Sequence, residues 1–432
     1  MKRFISRLLL AASVAAAVMS CDNKNNGTTI TLSPGENQQR LEDVGNRLIS
    51  KFRPEVQKTL IEAVDDFINY AYEGDLEVLD KYADNVAGNL ASVIKSAVAE
   101  YNFNSVTTLA EPGKSLYDAA RVYGIYTYDG TSWEREESSD KLEFRFNTED
   151  GKKVVATVQA SKGGPELSIE GNTYVIPQNA TANVSIDGKT ECAITVNTQC
   201  NFGSNVDVNI SLNANGYVIT ESLNVNSGSG SCNIDFSIDG ESIVSAASTF
   251  GGNHLTDPDY IYDNYETIGG NATAVVSILN EAQLKGSCSD ISAMVRELDN
   301  LVWDSSNIES ARQEAAIYNK YITAGLTYDN ATNFVATLEV APYEYESSYT
   351  TSVWNPDTQQ YEQKVITNYY YYTEPLIVFT SDGSRFSLED YFTEENFGGL
   401  IDSFENLYDV YASYVDAAEK EETGTNEPNI EM

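Results

Sequence analysis

The chain has 432 residues, with 27 Lys and Arg against 65 Asp and Glu and a formal net charge of −38. At about 100 to 200 residues per domain that length makes one large body or two to three smaller ones, and 28 Tyr in a 41% hydrophobic composition exclude wholesale disorder. The acidic excess excludes nucleic acid and anionic lipid held by basic patches, and the single histidine, His254, removes most histidine-based catalysis and His-rich metal sites.

The first elements decide the expected location. Lys2, Arg3 and Arg7 precede an apolar run from Leu8 to Val18, too short for a bilayer span of about 20 residues. The run ends in Val18-Met19-Ser20-Cys21, which resembles a bacterial lipobox, with Met19 in place of the usual small residue. The resemblance implies cleavage before Cys21, a diacylglycerol on its sulfur and an acylated new N-terminus, several chains being needed for stable attachment. Residues 1–20 are then a lipoprotein signal peptide. Their removal leaves 24 basic against 65 acidic residues, a charge of −41. Residues 21–36, polar and rich in Gly, Asn and Thr, are expected to form a flexible tether.

A single α+β body is expected over 37–416. Its first block, 37–123, is helical. Ser33-Pro34-Gly35-Glu36 has the form of a capping box, and Leu41, Val44, Leu48 and Phe52 follow at helical spacing. After Pro54, the residues Val56, Leu60, Val64, Phe67, Ile68 and Ala71 share a stripe. A third stripe runs from Leu76 through Leu90 to Tyr101. Acids occupy the wet faces, so these read as core-packing helices.

From about 124 to 255 the period becomes 2. Asp129-Gly130, Asp150-Gly151, Asp187-Gly188, Asn215-Gly216 and Asp239-Gly240 separate alternating runs, and such pairs are hairpin turns because they adopt positive φ. Val206, Val208, Ile210 and Leu212 oppose Asp207, Asn209, Ser211 and Asn213, and Cys232, Ile234, Phe236 and Ile238 oppose Asn233, Asp235, Ser237 and Asp239. This predicts an antiparallel meander with one apolar face, covered by amphipathic helices from the N-terminal and central blocks. The central block, 268–326, is read as helical through Val275, Leu279 and Ala282, then Met294, Leu298 and Leu301 after Ser289-Asp290, then Ala311, Ala315, Tyr318 and Ile322. Residues 334–392 return to strands, 397–416 form a last helix, and 417–432 are expected to be a disordered tail.

The chemistry-bearing residues are few. Cys192 and Cys200 share a strand face about 26 Å apart if it is straight, beyond disulfide reach. With Cys232 and Cys288 they read as small core hydrophobes, and a cross-strand bridge to Cys232 stays open. His254, after Gly251-Gly252-Asn253, reads as a turn residue. Neither a GxSxG elbow nor a phosphate-binding glycine loop occurs, so no catalytic, cofactor-binding or metal-ligating residue is named. Asp257, Asp259, Asp263 and Glu266 around Tyr260, Tyr262 and Tyr265 read as a solvated acidic turn.

The most uneven feature lies between Tyr343 and Tyr372, which holds eight of the tyrosines. Tyr343, Tyr345 and Tyr349 share a strand face opposite Glu344 and Glu346. Trp354-Asn355-Pro356-Asp357 supplies a turn, and the return strand carries Tyr361 and Tyr369-Tyr370-Tyr371-Tyr372. Cross-strand aromatic pairs stabilise hairpins by up to about 1 kcal/mol each, a sufficient structural reason for them. Four consecutive tyrosines nevertheless occupy both faces, and aromatics stack on sugars or protein surfaces at low entropic cost. Tyr343, Tyr345, Tyr349, Trp354, Tyr361, Tyr370 and Tyr372 are therefore the candidate binding surface, its partner a glycan or a protein.

The lipobox, the tether, Gly124-Ile125-Tyr126-Thr127-Tyr128-Asp129-Gly130, Trp133 and Leu142-Glu143-Phe144-Arg145-Phe146 together resemble uncharacterised outer-membrane lipoproteins of Bacteroidetes-type bacteria. That resemblance implies export and attachment to the outer membrane through the acylated Cys21, on its periplasmic or its outer face. The helix-covered meander is also similar, at the level of fold, to lipoprotein carriers. The function expected is a non-enzymatic binding or scaffold lipoprotein. The alternatives are a carrier of lipid or another apolar ligand between sheet and helices, and a hydrolase using carboxylates.

Overall fold

The structure, a computed structural model, describes residues 29–73 and 124–422, apart from 162–163, 165, 170–171, 176–177, 202, 258–259, 262–263, 265–266 and 358. The leader, Cys21, the first part of the tether and the third expected helical stripe lie outside the described residues. Among the described residues two helices, α1 (Pro34–Ser50) and α2 (Pro54–Glu73), precede the strands. These are β1 (Gly124–Tyr128), β2 (Trp133–Glu137), β3 (Leu142–Asn147), β4 (Lys153–Ala160), β5 (Glu166–Ile169), β6 (Asn172–Val175), β7 (Asn179–Ile186), β8 (Lys189–Asn201) and β9 (Asn205–Ala214). Next come β10 (Tyr217–Asn226), β11 (Ser229–Ile238), β12 (Glu241–Gly252), β13 (Gly269–Ile278) and β14 (Ala282–Cys288). After helices α3 (Ile291–Asp299) and α4 (Ile308–Tyr321) follow β15 (Ile322–Tyr328), β16 (Ala336–Asn355), β17 (Gln360–Phe379) and β18 (Arg385–Ser387), then α5 (Leu388–Tyr391) and α6 (Glu394–Glu422).

The architecture is α+β, as the alternation predicts. One mostly antiparallel sheet runs in the order β18-β17-β16-β15-β14-β13-β12-β11-β10-β9-β8-β7-β4-β3-β1-β2, with β5 and β6 as a separate pair. From β7 to β18 every strand lies beside its neighbour in sequence, while β1 and β3 pair in parallel. The turns carry the expected chemistry. Asp187, Asn215 and Asp239 adopt φ of 51°, 51° and 52°, each followed by a glycine at positive φ, which closes two-residue hairpins. Registers such as Leu212↔Ile219 and Leu223↔Cys232 keep one face of β9–β11 apolar except at Glu221.

The chain divides into two compact units. The first holds residues up to Val44 with Ala246–Asn253 and Tyr265–Gly398. Here the capping box forms as the sequence indicates: Ser33 N donates to Glu36 Oε2 (2.8 Å) and Glu36 N to Ser33 Oγ (3.4 Å). Val44, Ala282, Tyr328 and Val335 make a core with Ile30 and Leu32 packed on it. Asn333 Nδ2 donates to the Ile30 carbonyl (2.6 Å), so residues 30–36 are docked, and the tether expected as far as 36 ends earlier. A second core joins Cys288, Met294, Leu298 and Tyr318, with Val340 of β16 against it. Asp290 caps α3 by accepting from Ala293 N (2.8 Å).

The second unit holds Gly45–Ser245, His254–Asn264 and the chain from Gly399. Helix α2 supplies Ala63, Phe67 and Ala71 to cores built with Tyr126, Leu142, Phe144, Phe146, Val154 and Ile186. Phe67 lies edge-on to Phe144 and Trp133, at 5.0 and 5.9 Å between ring centres. Within this unit α6 packs so closely that a Cβ on Gly45 would sit 2.6 Å from Leu400 Cδ1, and Tyr411 hydrogen-bonds Tyr217 (3.4 Å).

Four expectations are corrected. Residues 269–288 are strands β13 and β14, not helix: Val275, Leu279 and Ala282 fit a 3.6 period, but Leu279 and Asn280 sit at positive φ and form the turn between them. Ile322 likewise opens β15 instead of extending α4. On α2 the stripe is rotated. Val64 and Ile68 are exposed, whereas Asp66 is buried, its carboxylate accepting from Glu149 N (3.2 Å). Helix α6 continues past residue 416 to Glu422, and Phe404, Tyr408 and Val415 on its expected apolar stripe are exposed.

Candidate binding surface on the long hairpin

Strands β16 and β17 are 20 residues each, and their register is unbroken from Ala336↔Phe379 to Asn355↔Gln360. Beta-branched and aromatic residues favour this extended pairing, and Pro356-Asp357 lie in the turn that reverses it. At the base β16 pairs with β15 only over Ala336–Leu338, and β17 with β18 only over Leu376–Val378. Helix α4 braces the stem. Asn319 donates to the Val340 carbonyl (2.7 Å) and accepts from Val340 N (2.8 Å), and Thr373 Oγ1 donates to Glu314 Oε2 (3.4 Å). On the other margin Tyr371 N donates to the Ser305 carbonyl (2.7 Å). From Tyr343 to the turn, among the described residues, the two strands pair only with each other, a ribbon about 40 Å long at about 3.4 Å per residue.

Residues directly opposite in an antiparallel pair share a face. Tyr343↔Tyr372, Tyr345↔Tyr370 and Tyr349↔Ile366 therefore place five of the seven candidate aromatics on one side. Trp354↔Tyr361, Glu344↔Tyr371 and Glu346↔Tyr369 occupy the reverse. The structure thus brings together Tyr343, Tyr345, Tyr349, Tyr370 and Tyr372 and separates Trp354 and Tyr361 from them. Those two pack edge to face at 5.2 Å near the tip. Tyr343, Tyr345, Tyr349 and Tyr372 are 43%, 49%, 52% and 45% exposed, and Tyr370 is half-buried. On the reverse face a hydrogen bond to Glu344 raises the Tyr371 phenol.

The other sequence candidates behave as structural groups. His254 occupies a turn at φ 57° and stacks on Tyr260 at 4.0 Å. Cys192, Cys200, Cys232 and Cys288 form no disulfide, and burial raises the thiols of Cys192, Cys200 and Cys288. Of the acidic turn, Asp257 accepts from Tyr260 N (3.1 Å), while Asp259, Tyr262, Asp263, Tyr265 and Glu266 lie outside the described residues. Among the described residues no three His, Cys, Asp or Glu side chains are grouped to hold a metal ion.

Two acids escaped the sequence reading. Asp66 is pushed up to about 6 by burial and by the charges of Glu149, Asp65 and Asp150, which outweigh the Glu149 N–H bond. Glu221 stands on the apolar face of the meander between Ile210 and Ile234, and burial raises its carboxyl. The sequence signal for Glu221 was its place in the alternating run Ile219, Glu221, Leu223. Behind it, on the polar face, Thr195, Asn209, Ser211, Thr220 and Asn233 line a depression of about 260 Å³. No family model matches the chain, and neither a curated protein nor a solved structure matches it.

Proposed function

We propose that the protein is an exported, lipid-anchored binding or scaffold protein of a bacterial outer membrane, acting without catalysis and presenting the β16–β17 ribbon to its partner. The observation that carries the reading is the ribbon: aromatics that a fold would ordinarily cover are about half exposed on two strands that, from Tyr343 to the turn and among the described residues, pair only with each other. The lipobox-like Val18-Met19-Ser20-Cys21 supports the anchor. Cells expressing the chain and fed a labelled fatty acid are expected to label it, and Cys21→Ser to abolish labelling and release the protein from membranes. Equal labelling of the variant sinks the anchor. Crosslinking pull-downs from intact cells are expected to lose their partner on Tyr345→Ala with Tyr370→Ala; an unchanged capture profile sinks the binding part.

A second reading, carriage of an apolar ligand, is favoured by the half-buried state of Ile194, Val196, Val208, Ile210, Leu223 and Ile234 on the meander's apolar face. Native mass spectrometry of Cys21→Ser protein is expected to show a co-purifying lipid in that case, and a ligand-free spectrum removes the reading.

A further inference from the structure

We infer that the tyrosine face of the ribbon is a platform for a neutral glycan chain; this rests on the reading of the ribbon as a binding surface and specifies its ligand. The register places the Cβ atoms of Tyr343, Tyr345, Tyr370 and Tyr372 in a two-by-two array, about 5 Å apart across the strands and about 7 Å along them. Tyr349 extends it by about 14 Å along the same strand. Among the described residues these five rings pair with no other ring, unlike Trp354 and Tyr361 on the reverse, so their stacking capacity is unspent within the fold.

Charge then narrows the ligand. In a chain of −38 the four rows from Tyr343↔Tyr372 to Tyr349↔Ile366 carry no ionised side chain on this face, only Tyr, Ser347, Asn368 and Ile366. Of the neighbouring charges Glu344 and Glu346 point to the reverse, while Glu374 and Lys364 share this face only in the rows that flank the array, one at each end. A cationic partner would be drawn to the acids beside and behind the array rather than to the rings, and an anionic one is repelled by the chain as a whole. Uncharged rings bearing hydroxyls, beside a Ser and an Asn, match a sugar, which offers an apolar C–H face to stack and hydroxyls to hydrogen-bond.

Area excludes a stable copy-to-copy contact through this face alone. Five half-exposed tyrosines, each about 200 Å² in full, offer roughly 450 Å², against about 800 Å² per partner in a standard protein interface. That is the size of a few sugar units.

The test uses the full lipid-bearing chain in nanodiscs of uncharged lipid, titrated calorimetrically with chitohexaose, cellohexaose, maltohexaose, fully deacetylated chitohexaose and hexagalacturonate. Binding of at least one neutral hexasaccharide is expected, unchanged between 50 mM and 500 mM salt as the absence of charge requires (roughly one Debye length of 14 Å shrinking to 4 Å). Tyr345→Ala and Tyr370→Ala are each expected to weaken it about three- to tenfold, Tyr345→Phe far less, and Tyr408→Ala on the exposed side of helix α6 not at all. Salt-sensitive binding of the deacetylated oligomer alone overturns the glycan inference in favour of a cationic partner. Failure of every neutral oligomer to bind also overturns it, yet leaves the binding reading standing if Tyr345→Ala with Tyr370→Ala still abolishes the cellular pull-down. Loss of neither binding nor capture in those variants overturns both.

Discussion

Asn37 is an amide buried in helix α1 at 1% exposure, and replacing it with Ala measures what a fully enclosed polar relay contributes to this fold. Its Oδ1 accepts from the Tyr328 hydroxyl (2.7 Å), its Nδ2 donates to the Tyr391 hydroxyl (2.8 Å), and that hydroxyl donates to the Pro34 carbonyl (3.2 Å). Tyr328 is wholly buried, and burial raises its phenol, so its O–H has nowhere else to go. Asn37→Ala removes two hydrogen bonds at about 1 kcal/mol net each and strands a hydroxyl at about 1–3 kcal/mol. Better helix propensity returns about 0.5 kcal/mol. The expected loss is about 3 kcal/mol, read as a fall in the urea midpoint at constant m-value. Tyr328→Phe in the Asn37→Ala background removes the stranded group and is expected to restore about 1 kcal/mol, although Tyr328→Phe alone destabilises by about as much. An Asn37→Ala protein within 0.5 kcal/mol of the parent, or additive effects in the pair, would refute the relay.

Three further outcomes follow from other sites. Asp66→Asn is expected to flatten the pH dependence of thermal stability between pH 4 and 6. The folded carboxyl titrates near 6, above its ordinary 3.8, so its contribution is complete below pH 4 and is lost as pH rises through 6. At pH 7 the variant gains roughly 1–2 kcal/mol over the parent, and parallel pH profiles for the two proteins would show that burial does not govern Asp66. Phe67→Ala, at the junction of Trp133, Phe144 and Phe146, is expected to cost about 3–4 kcal/mol in urea and to alter the tryptophan emission. Gly325→Ala puts a Cβ 2.6 Å from both the Ala336 carbonyl and the Phe334 ring, and a fall in melting temperature equivalent to about 1–3 kcal/mol is expected.

The meander was open to sequence reading because each two-residue turn and its flanking period leave one register, and a slip by one residue would turn Val206, Val208, Ile210 and Leu212 to water. Capping is equally local, so Ser33 with Glu36, and Asp290, were identifiable from their own neighbours. Residues 269–288 were not, since Leu at positive φ breaks the rule that assigns turns to Gly, Asn and Asp, and Val275, Leu279 and Ala282, spaced by four and three, match a helical period although a turn divides them. Asp66 illustrates a second limit. It is buried beside a backbone N–H 83 residues away, a contact that no local hydrophobic stripe encodes. On the ribbon, parity within β16 already separated Trp354 from Tyr349. Which two of the four consecutive tyrosines join Tyr343 and Tyr345 depended on the length of the turn at 356–359.

The strand order of the first unit carries a consequence for how the chain reaches its native state. Its β13–β14, β15–β16, β16–β17 and β17–β18 connections close over a handful of residues, and the β14–β15 connection over the 33 residues that hold α3 and α4. Helix α1, by contrast, is joined to Tyr328 and Tyr391 across 291 and 354 positions. Closing a loop some 60-fold longer than a hairpin turn costs about 3.6 kcal/mol more in chain entropy. Such high contact-order steps come late. The amino-terminal helix is therefore the last piece of its unit to dock, although it is the first synthesised. Until the carboxy-terminal quarter has emerged, Ile30, Leu32 and Val44 have no native core to enter.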